Sequence, residues 1–311
     1  MRNLVFLLCL VLAAPLAGVP LKIAVIPKGT THSFWKSVEA GAREAGAELG
    51  AEIVYKGPLK EDDRAQQIAL VQQFLVGAVD GIVLAPLDDN ALRGPVRSAK
   101  SRGMPVVIID SALKGEPGKD FASFVATDNH RGGVLGGEEL ARLLGGKGRV
   151  VLLRYAEGSA STLEREAGFL EAVARHPDMT VTVQNRYGGA TVSSSQDAAL
   201  NLIDRIREAD GIFCPNESTT HGMLFALRQQ GIAGKKAFVG FDASPALLEA
   251  VDQGDIQTLV AQNPRRMGYM GVKTCVAVLR GEKVESRIDT GCELITAANR
   301  DTPAVRAILG N

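Results

Sequence analysis

The sequence has few histidines and cysteines, no excess charge of either sign, and no long apolar run beyond its first twenty residues. Its 35 Lys plus Arg balance its 35 Asp plus Glu, so it has no basic footprint for nucleic acid, and none is expected as a partner. Its four histidines, His32, His130, His176 and His221, are scattered. There is no G-x-S-x-G, and no dinucleotide fingerprint follows the first strand, so neither an enzyme nor a bound cofactor is expected. Cys9 lies in the leading apolar run, which leaves Cys214, Cys275 and Cys292, an odd set with no metal-ligand spacing. Cys214 reads as a small buried apolar residue, and a Cys275–Cys292 bridge stays open for an oxidising compartment. With no later apolar stretch long enough to span a bilayer, the chain after its leader is expected to be soluble.

The leader is residues 1–20. Arg2, an apolar run from Leu4 to Ala14, and then Pro15-Leu16-Ala17-Gly18 have the layout of a secretory signal peptide cleaved near Ala17 or Gly18. A lipid anchor at Cys9 and a retained N-terminal anchor are the other readings of this segment.

The 311 residues exceed what one hydrophobic core usually supports, and the sequence after the leader is written twice. Lys22–Pro27 (KIAVIP), Val79–Asp88 (VDGIVLAPLD) and the strand ending at Asp110 (PVVIID) return in the same order as Arg149–Arg154 (RVVLLR), Ala209–Ser218 (ADGIFCPNES) and the strand ending at Asp242 (AFVGFD), each roughly 130 residues later. Short apolar strands alternate with helical patterns over Arg64–Val76, Ala91–Arg102, Gly133–Leu144, Pro245–Gln253 and Met267–Leu279. A first helix follows the loop after Pro27, with Ser33 as its N-cap. The pattern is α/β: two similar Rossmann-like lobes, each a parallel sheet flanked by helices. Thr127-Asp128 and Gln262-Asn263-Pro264 are where the chain changes lobe.

Open parallel sheets carry their sites at the carboxyl ends of their strands. Those ends hold Lys28, His32, Phe34 and Trp35 after the first strand, Asp88 and Asp89 after the third and Asp110-Ser111 after the fourth. In the second half they hold Arg165, Asn216-Glu217, Asp242 and Gln262. Carboxylates, amides, one guanidinium and aromatic faces suit a polyhydroxylated ligand, because carboxylates accept from hydroxyls, Arg donates a planar fork and an aromatic ring covers the apolar side of a sugar. Asp110 and Asp242 are the firmest candidates, since each ends an apolar strand at a repeat-related position where an unpaired carboxylate would be costly. Plainer roles stand beside the others: one of Phe34 and Trp35 as core packing, His32 as a loop hydrogen-bonding residue, Asp128 as a tie across the crossover and Glu217 as a cap for the helix that follows it.

Phe34-Trp35 with Gly41 following, Asp110 after PVVI, Ala126-Thr127-Asp128-Asn129, Arg165 three before Gly168-Phe169, Asn216 after IFCP, Gly240-Phe241-Asp242 and Ala261-Gln262 resemble the ribose-type periplasmic binding proteins of ABC sugar importers over nearly all of the chain after the leader. The resemblance implies the type I periplasmic binding protein fold, with three crossovers between lobes. Residues 21–126 plus 263–290 would form the first lobe, and 127–262 plus 291–311 the second. It implies a monomer in the periplasm that closes on a monosaccharide or similar polyol and delivers it to an ABC permease in the inner membrane. Phe34 and Trp35 would stack on the sugar, His32 would stand in for an amide, and Asp110, Arg165, Asn216, Asp242 and Gln262 would be polar contacts. Two departures point away from ribose itself: Ser111 stands where the ribose binders carry Arg, and a second-lobe aromatic expected near Ala190 is missing, with Tyr187 the nearby candidate. Lys28, Gly57-Pro58 and Asp110-Ser111 also resemble relatives that bind furanose-derived quorum signals, which would bring Lys28 into the site. A receptor role in chemotaxis or quorum sensing is the alternative to import.

Overall fold

The computed structural model describes residues 19–77 and 79–309, so most of the expected leader lies outside the described residues. The elements in chain order are β1 (Lys22–Ile26), α1 (Ser33–Leu49), β2 (Glu52–Tyr55), α2 (Arg64–Val76), β3 (Gly81–Leu84), α3 (Arg93–Ser101), β4 (Val106–Ile109) and β5 (Ser123–Ala126). Then come α4 (Asn129–Leu144), β6 (Lys147–Arg154), α5 (Ala160–Ala174), β7 (Asp178–Tyr187), α6 (Val192–Asn201), α7 (Ile203–Glu208), β8 (Gly211–Phe213), α8 (Glu217–Gln229), β9 (Ala237–Phe241), α9 (Pro245–Asp252) and β10 (Thr258–Gln262). The chain ends with α10 (Pro264–Leu279), β11 (Arg287–Asp289), β12 (Cys292–Ile295) and α11 (Pro303–Leu309).

These strands form two six-stranded sheets with matching orders, β2-β1-β3-β4-β5-β11 and β7-β6-β8-β9-β10-β12. All pairings are parallel except β10 with β12. The chain passes between the sheets after β5, after β10 and after β11, which gives the three expected crossovers. The central strands β3 (GIVL) and β4 (VVII) are buried at every position, because helices cover both faces of each sheet. In the first sheet Val25, Val83 and Ile109 pack towards α1 and α10, while Ile26, Leu84 and Ile108 pack towards α2 and α3.

The repeated Asp-Gly has a structural role that is the same in both lobes. Asp80 Oδ2 accepts from Lys22 N at 2.7 Å, and Asp210 Oδ2 accepts from Arg149 N at 2.8 Å. Each carboxylate satisfies a backbone donor at the start of the central strand beside it, where Gly81 and Gly211 sit in register with Ile23 and Val150.

Several boundaries differ from expectation for reasons of capping. α10 starts three residues early because Pro264 takes the first helical position and the Asn263 side chain accepts from Arg266 N at 3.0 Å. α4 starts at Asn129 because the Asp128 carboxylate accepts from Arg131 N at 3.0 Å, while Asp128 N donates to Asp289 Oδ1 at 3.2 Å. Asp128 therefore caps a helix and ties two crossovers together. Ser33 is not the cap of α1: His32 occupies that position and makes no side-chain cap bond. The possible Cys275–Cys292 bridge does not form. Both are free thiols, Cys275 in the core of the first lobe and Cys292 on β12 of the other sheet. Among the described residues no helix is long and apolar enough to cross a membrane.

Candidate functional site

The carboxyl ends of β1, β4, β6, β8, β9 and β10 converge between the lobes on one cavity, lined by the nine expected ligand contacts Lys28, His32, Phe34, Trp35, Asp110, Arg165, Asn216, Asp242 and Gln262. Glu61, Tyr155, Ser161, Thr162 and Glu217 complete the wall. The cavity is tight, leaving about 30 Å³ for the centres of water-sized molecules.

Two aspartates owe their placement to backbone strain. Asp110 and Asp242 are the two non-glycine residues of positive φ among those described, at 61° and 70°. Aspartate tolerates this left-handed region better than most side chains but at a cost, and such strain concentrates where function fixes geometry. Each residue ends its strand with one last sheet bond, Asp110 N to Val125 O at 3.1 Å and Asp242 N to Val260 O at 2.9 Å. The chain then turns sharply and the carboxylate is directed into the cleft.

The charges inside are paired. Lys28 Nζ lies 2.8 Å from Asp110 Oδ2 and donates to Ser161 Oγ at 3.0 Å. His32 Nδ1 lies 2.6 Å from Glu61 Oε1, and the same carboxylate accepts from Trp35 Nε1 at 2.7 Å and Tyr155 OH at 2.9 Å. Burial alone would lower the His32 imidazole, but the hydrogen bond and charge of Glu61, with the charges of Glu217 and Asp242, raise it to about 9. Burial works to raise Glu61, yet the His32 bond and charge, the charge of Lys28 and the Trp35 donor hold it near 2. His32 and Glu61 are thus an imidazolium–carboxylate pair at neutral pH.

On the opposite wall Asp242 Oδ1 accepts from Gln262 Nε2 at 2.7 Å, and Oδ2 accepts from Glu217 N at 2.9 Å. Burial raises the Asp242 carboxyl to about 6 despite the Arg165 charge and the Gln262 bond, with Glu217 and Asp110 adding to the rise. Arg165 donates from Nε to Asn129 Oδ1 at 2.8 Å and from Nη1 to Pro215 O at 2.9 Å, and its guanidinium carbon lies 4.1 Å from the centre of the Phe241 ring. Its position depends on the close contact of α4 and α5, where a Cβ at Gly133 would fall 2.0 Å from Arg165 O. Two polar atoms of this wall, Arg165 Nη2 and Gln262 Oε1, are buried without a hydrogen-bond partner.

Asn216 lines the cavity but spends its side chain on α8. As N-cap, its Oδ1 accepts from Thr219 N and Thr219 Oγ1, and its Nδ2 donates to Ser218 Oγ. Glu217 does not cap the helix it begins; its carboxylate crosses the cleft and accepts from Ser33 N and Phe34 N, both at 3.0 Å. Phe34 and Trp35 pack edge to face at 4.9 Å, and both belong to the first-lobe core as well as to the cavity wall. Asp88 and Asp89 do not line the cavity; they pair with Arg64 and Lys114. Tyr187 lies under Arg154 instead, and Tyr155 is the second-lobe aromatic. Tyr155 was legible in principle, since it follows β6 as the His32 loop follows β1. Glu61 stands in the loop after β2, where no local pattern marks it as a cavity residue.

A family model described as periplasmic binding protein domain matches residues 23–283. The chain belongs to the periplasmic binding protein family. Among relatives of this binding protein, the ribose import binding protein of Escherichia coli is 29% identical over 88% of this chain and 90% of its own. A D-ribose/D-allose-binding protein of Pseudomonas aeruginosa is 28% identical over 89% of each chain. Among solved structures, a carbohydrate transporter solute binding protein of Agrobacterium radiobacter in complex with D-arabinose superposes with a TM-score of 0.88 at 33% identity, covering 94% of this chain and 99% of its own. An ABC transporter solute binding protein of Agrobacterium vitis with bound D-fucose gives 0.88 at 34% identity, covering 92% and 98%. The family and the two-lobed type I fold expected from the residues therefore hold for this binding protein.

Proposed function

We propose that this chain is the extracytoplasmic substrate-binding component of an ABC importer, which captures a monosaccharide or related small polyol between two closing lobes and delivers it to a permease in the inner membrane. The observation that carries the reading is the pair of buried, unpartnered atoms, the donor Arg165 Nη2 and the acceptor Gln262 Oε1. Leaving both unmet is costly, and hydroxyl groups, each donor and acceptor at once, can meet both. The Lys28–Asp110 and His32–Glu61 pairs are each balanced internally, so neither pair calls for a charged ligand. The relatives named above are described with ribose, allose, arabinose and fucose, each a single sugar.

In this reading Asp110, Arg165, Asp242 and Gln262 hold hydroxyls, His32 adds a further polar contact, Asn216 lines the wall while its side chain caps α8, and Phe34 with Trp35 covers the apolar face of the ring. The protein binds without transforming its ligand, acts as a monomer and reaches the periplasm through a signal peptide cleaved near Ala17 or Gly18. The lobe limits, 21–126 with 263–290 and 127–262 with 291–311, are part of the proposal, and the strand membership of the two sheets supports them. One observation favours a second reading, presentation of a furanose-derived signal to a membrane receptor: Lys28, which that reading requires at the ligand, is a cavity residue.

The test is a thermal-shift screen of the secreted chain against pentoses, hexoses, polyols and furanose signals. A ligand at about 100 times its Kd adds about 2.7 kcal/mol to the folded state and raises Tm accordingly. No shift with any carbohydrate overturns the import reading, and a shift with furanose signals alone selects the second.

A further inference from the structure

Direct lobe-to-lobe hydrogen bonds surround the cavity. On one side the Glu217 carboxylate accepts from Ser33 N and Phe34 N, both at 3.0 Å. On another, Tyr155 OH donates to Glu61 Oε2 at 2.9 Å. On a third, Lys28 Nζ donates to Ser161 Oγ at 3.0 Å and Ser161 N to Ser111 Oγ at 3.1 Å. Each joins protein to protein, so each forms when the lobes meet and breaks when they part, whatever the ligand.

Glu217 makes the most consequential of these bonds. The first turn of the 17-residue α1 has no acidic residue and no side-chain cap of its own, so its leading N–H groups and the positive end of its dipole lack a partner within the first lobe. Closure supplies one, a carboxylate from the other lobe. Glu217 is also held by its backbone, since its N–H donates to Asp242 Oδ2 at 2.9 Å. It therefore places the Asp242 wall against the first lobe.

We propose that Glu217 and Tyr155 are positioning residues whose lobe-to-lobe bonds set the fraction of the protein that is closed, and so scale affinity for every ligand by one factor instead of choosing among ligands. When binding requires the closed form, the apparent Kd is the intrinsic Kd divided by the closed fraction, and that fraction is a property of the protein alone. A residue that touched particular hydroxyls would change the ranking of epimers. The affinity part rests on the binding reading above; the closure part does not.

The experiment uses the full secreted chain with Glu217→Gln, Tyr155→Phe and both together, with circular dichroism melting to establish that each is folded. Small-angle X-ray scattering without sugar should show the double variant more extended than wild type, and saturating sugar should restore the compact form. Calorimetry with two sugars that bind the wild type, drawn from D-ribose, D-allose, D-arabinose and D-fucose, should give Kd values raised by about tenfold in Glu217→Gln for both alike, as expected for loss of a charge-assisted bond. Unchanged scattering of the double variant, unchanged Kd, or a ratio between the two sugars that moves by more than about fivefold overturns the proposal. If no sugar binds the wild type, the binding reading fails, and the sugar-free scattering still decides the role of Glu217 and Tyr155. Tyr155→Phe leaves Glu61 with His32 and Trp35 as partners, so it tests the second contact should the Glu217 variant fail to fold.

Discussion

Ligand affinity should depend on pH through Asp242. Burial lifts its carboxyl from the ordinary 3.8 to about 6 in the closed cleft. The sign follows from which form the ligand needs: a hydroxyl donating to Asp242 favours the carboxylate, so binding pulls the raised value back down and is strongest where Asp242 is already charged. Affinity is therefore complete well above pH 6 and weakens as pH falls through it. A hydrogen bond to a charged acceptor is worth about 1.5 kcal/mol more than one to a neutral acceptor, which corresponds to about one pKa unit or a tenfold change in Kd. The groups that act on Asp242 are Arg165, Gln262, Glu217 and Asp110. His32 near 9 and Glu61 near 2 keep their charges throughout the window, and His221 is held near 4 by burial. Calorimetry from pH 5 to 7.5, in buffers of different ionisation enthalpy, should show Kd weakening about fivefold by pH 5, on the way to a tenfold limit, and proton release on binding near pH 6. The dependence should vanish in Asp242→Asn, whose affinity is lower throughout. A flat Kd over that range in wild type, or the same profile in Asp242→Asn, would refute the assignment.

The remaining predictions concern other parts of the site. Arg165→Lys should lose the planar fork that reaches Asn129, Pro215 and the cavity together, weakening ligand binding by about 2 kcal/mol or more in calorimetry. Trp35 is the sole tryptophan and donates to Glu61 at the cavity wall, so sugar titration should change its fluorescence saturably, and a titration that binds by calorimetry without any spectral change would contradict its placement. Gly133→Ala would set a methyl group against Arg165 O, where the backbone of α5 cannot yield cheaply, so Tm should fall by the equivalent of about 1–3 kcal/mol, with weaker sugar binding as α5 shifts.

Much of this arrangement can be read from the chain. The strand repeat, the Asp-Gly pairs and the carboxylates at Asp110 and Asp242 all follow from local pattern, because a buried parallel strand is a short apolar run and its carboxyl end is where polar residues resume. Helix starts at α4 and α10 were less legible, since the capping value of Asp128, Asn263 and Pro264 depends on backbone angles. Glu61 is not legible in the chain because it lies in a loop after a half-buried strand, and nothing local marks a carboxylate that serves His32, Trp35 and Tyr155 at once. Tyr187 was the wrong aromatic because proximity in sequence is a poor guide to which strand end faces the cleft.

The sequence by itself determined that the chain makes two like lobes, that their sites lie at matching strand ends and that the residues there suit hydroxyls, since periodicity, strand length and residue chemistry are local properties. Only the tertiary structure decided which of those residues share a cavity and which bonds they have already spent. Asn216 caps α8, Glu217 caps α1 from the other lobe, and Arg165 Nη2 and Gln262 Oε1 are left over. The physical reason is that hydrogen-bond satisfaction is settled by ångström-scale placement of groups remote in sequence, and sequence carries their identity without that placement.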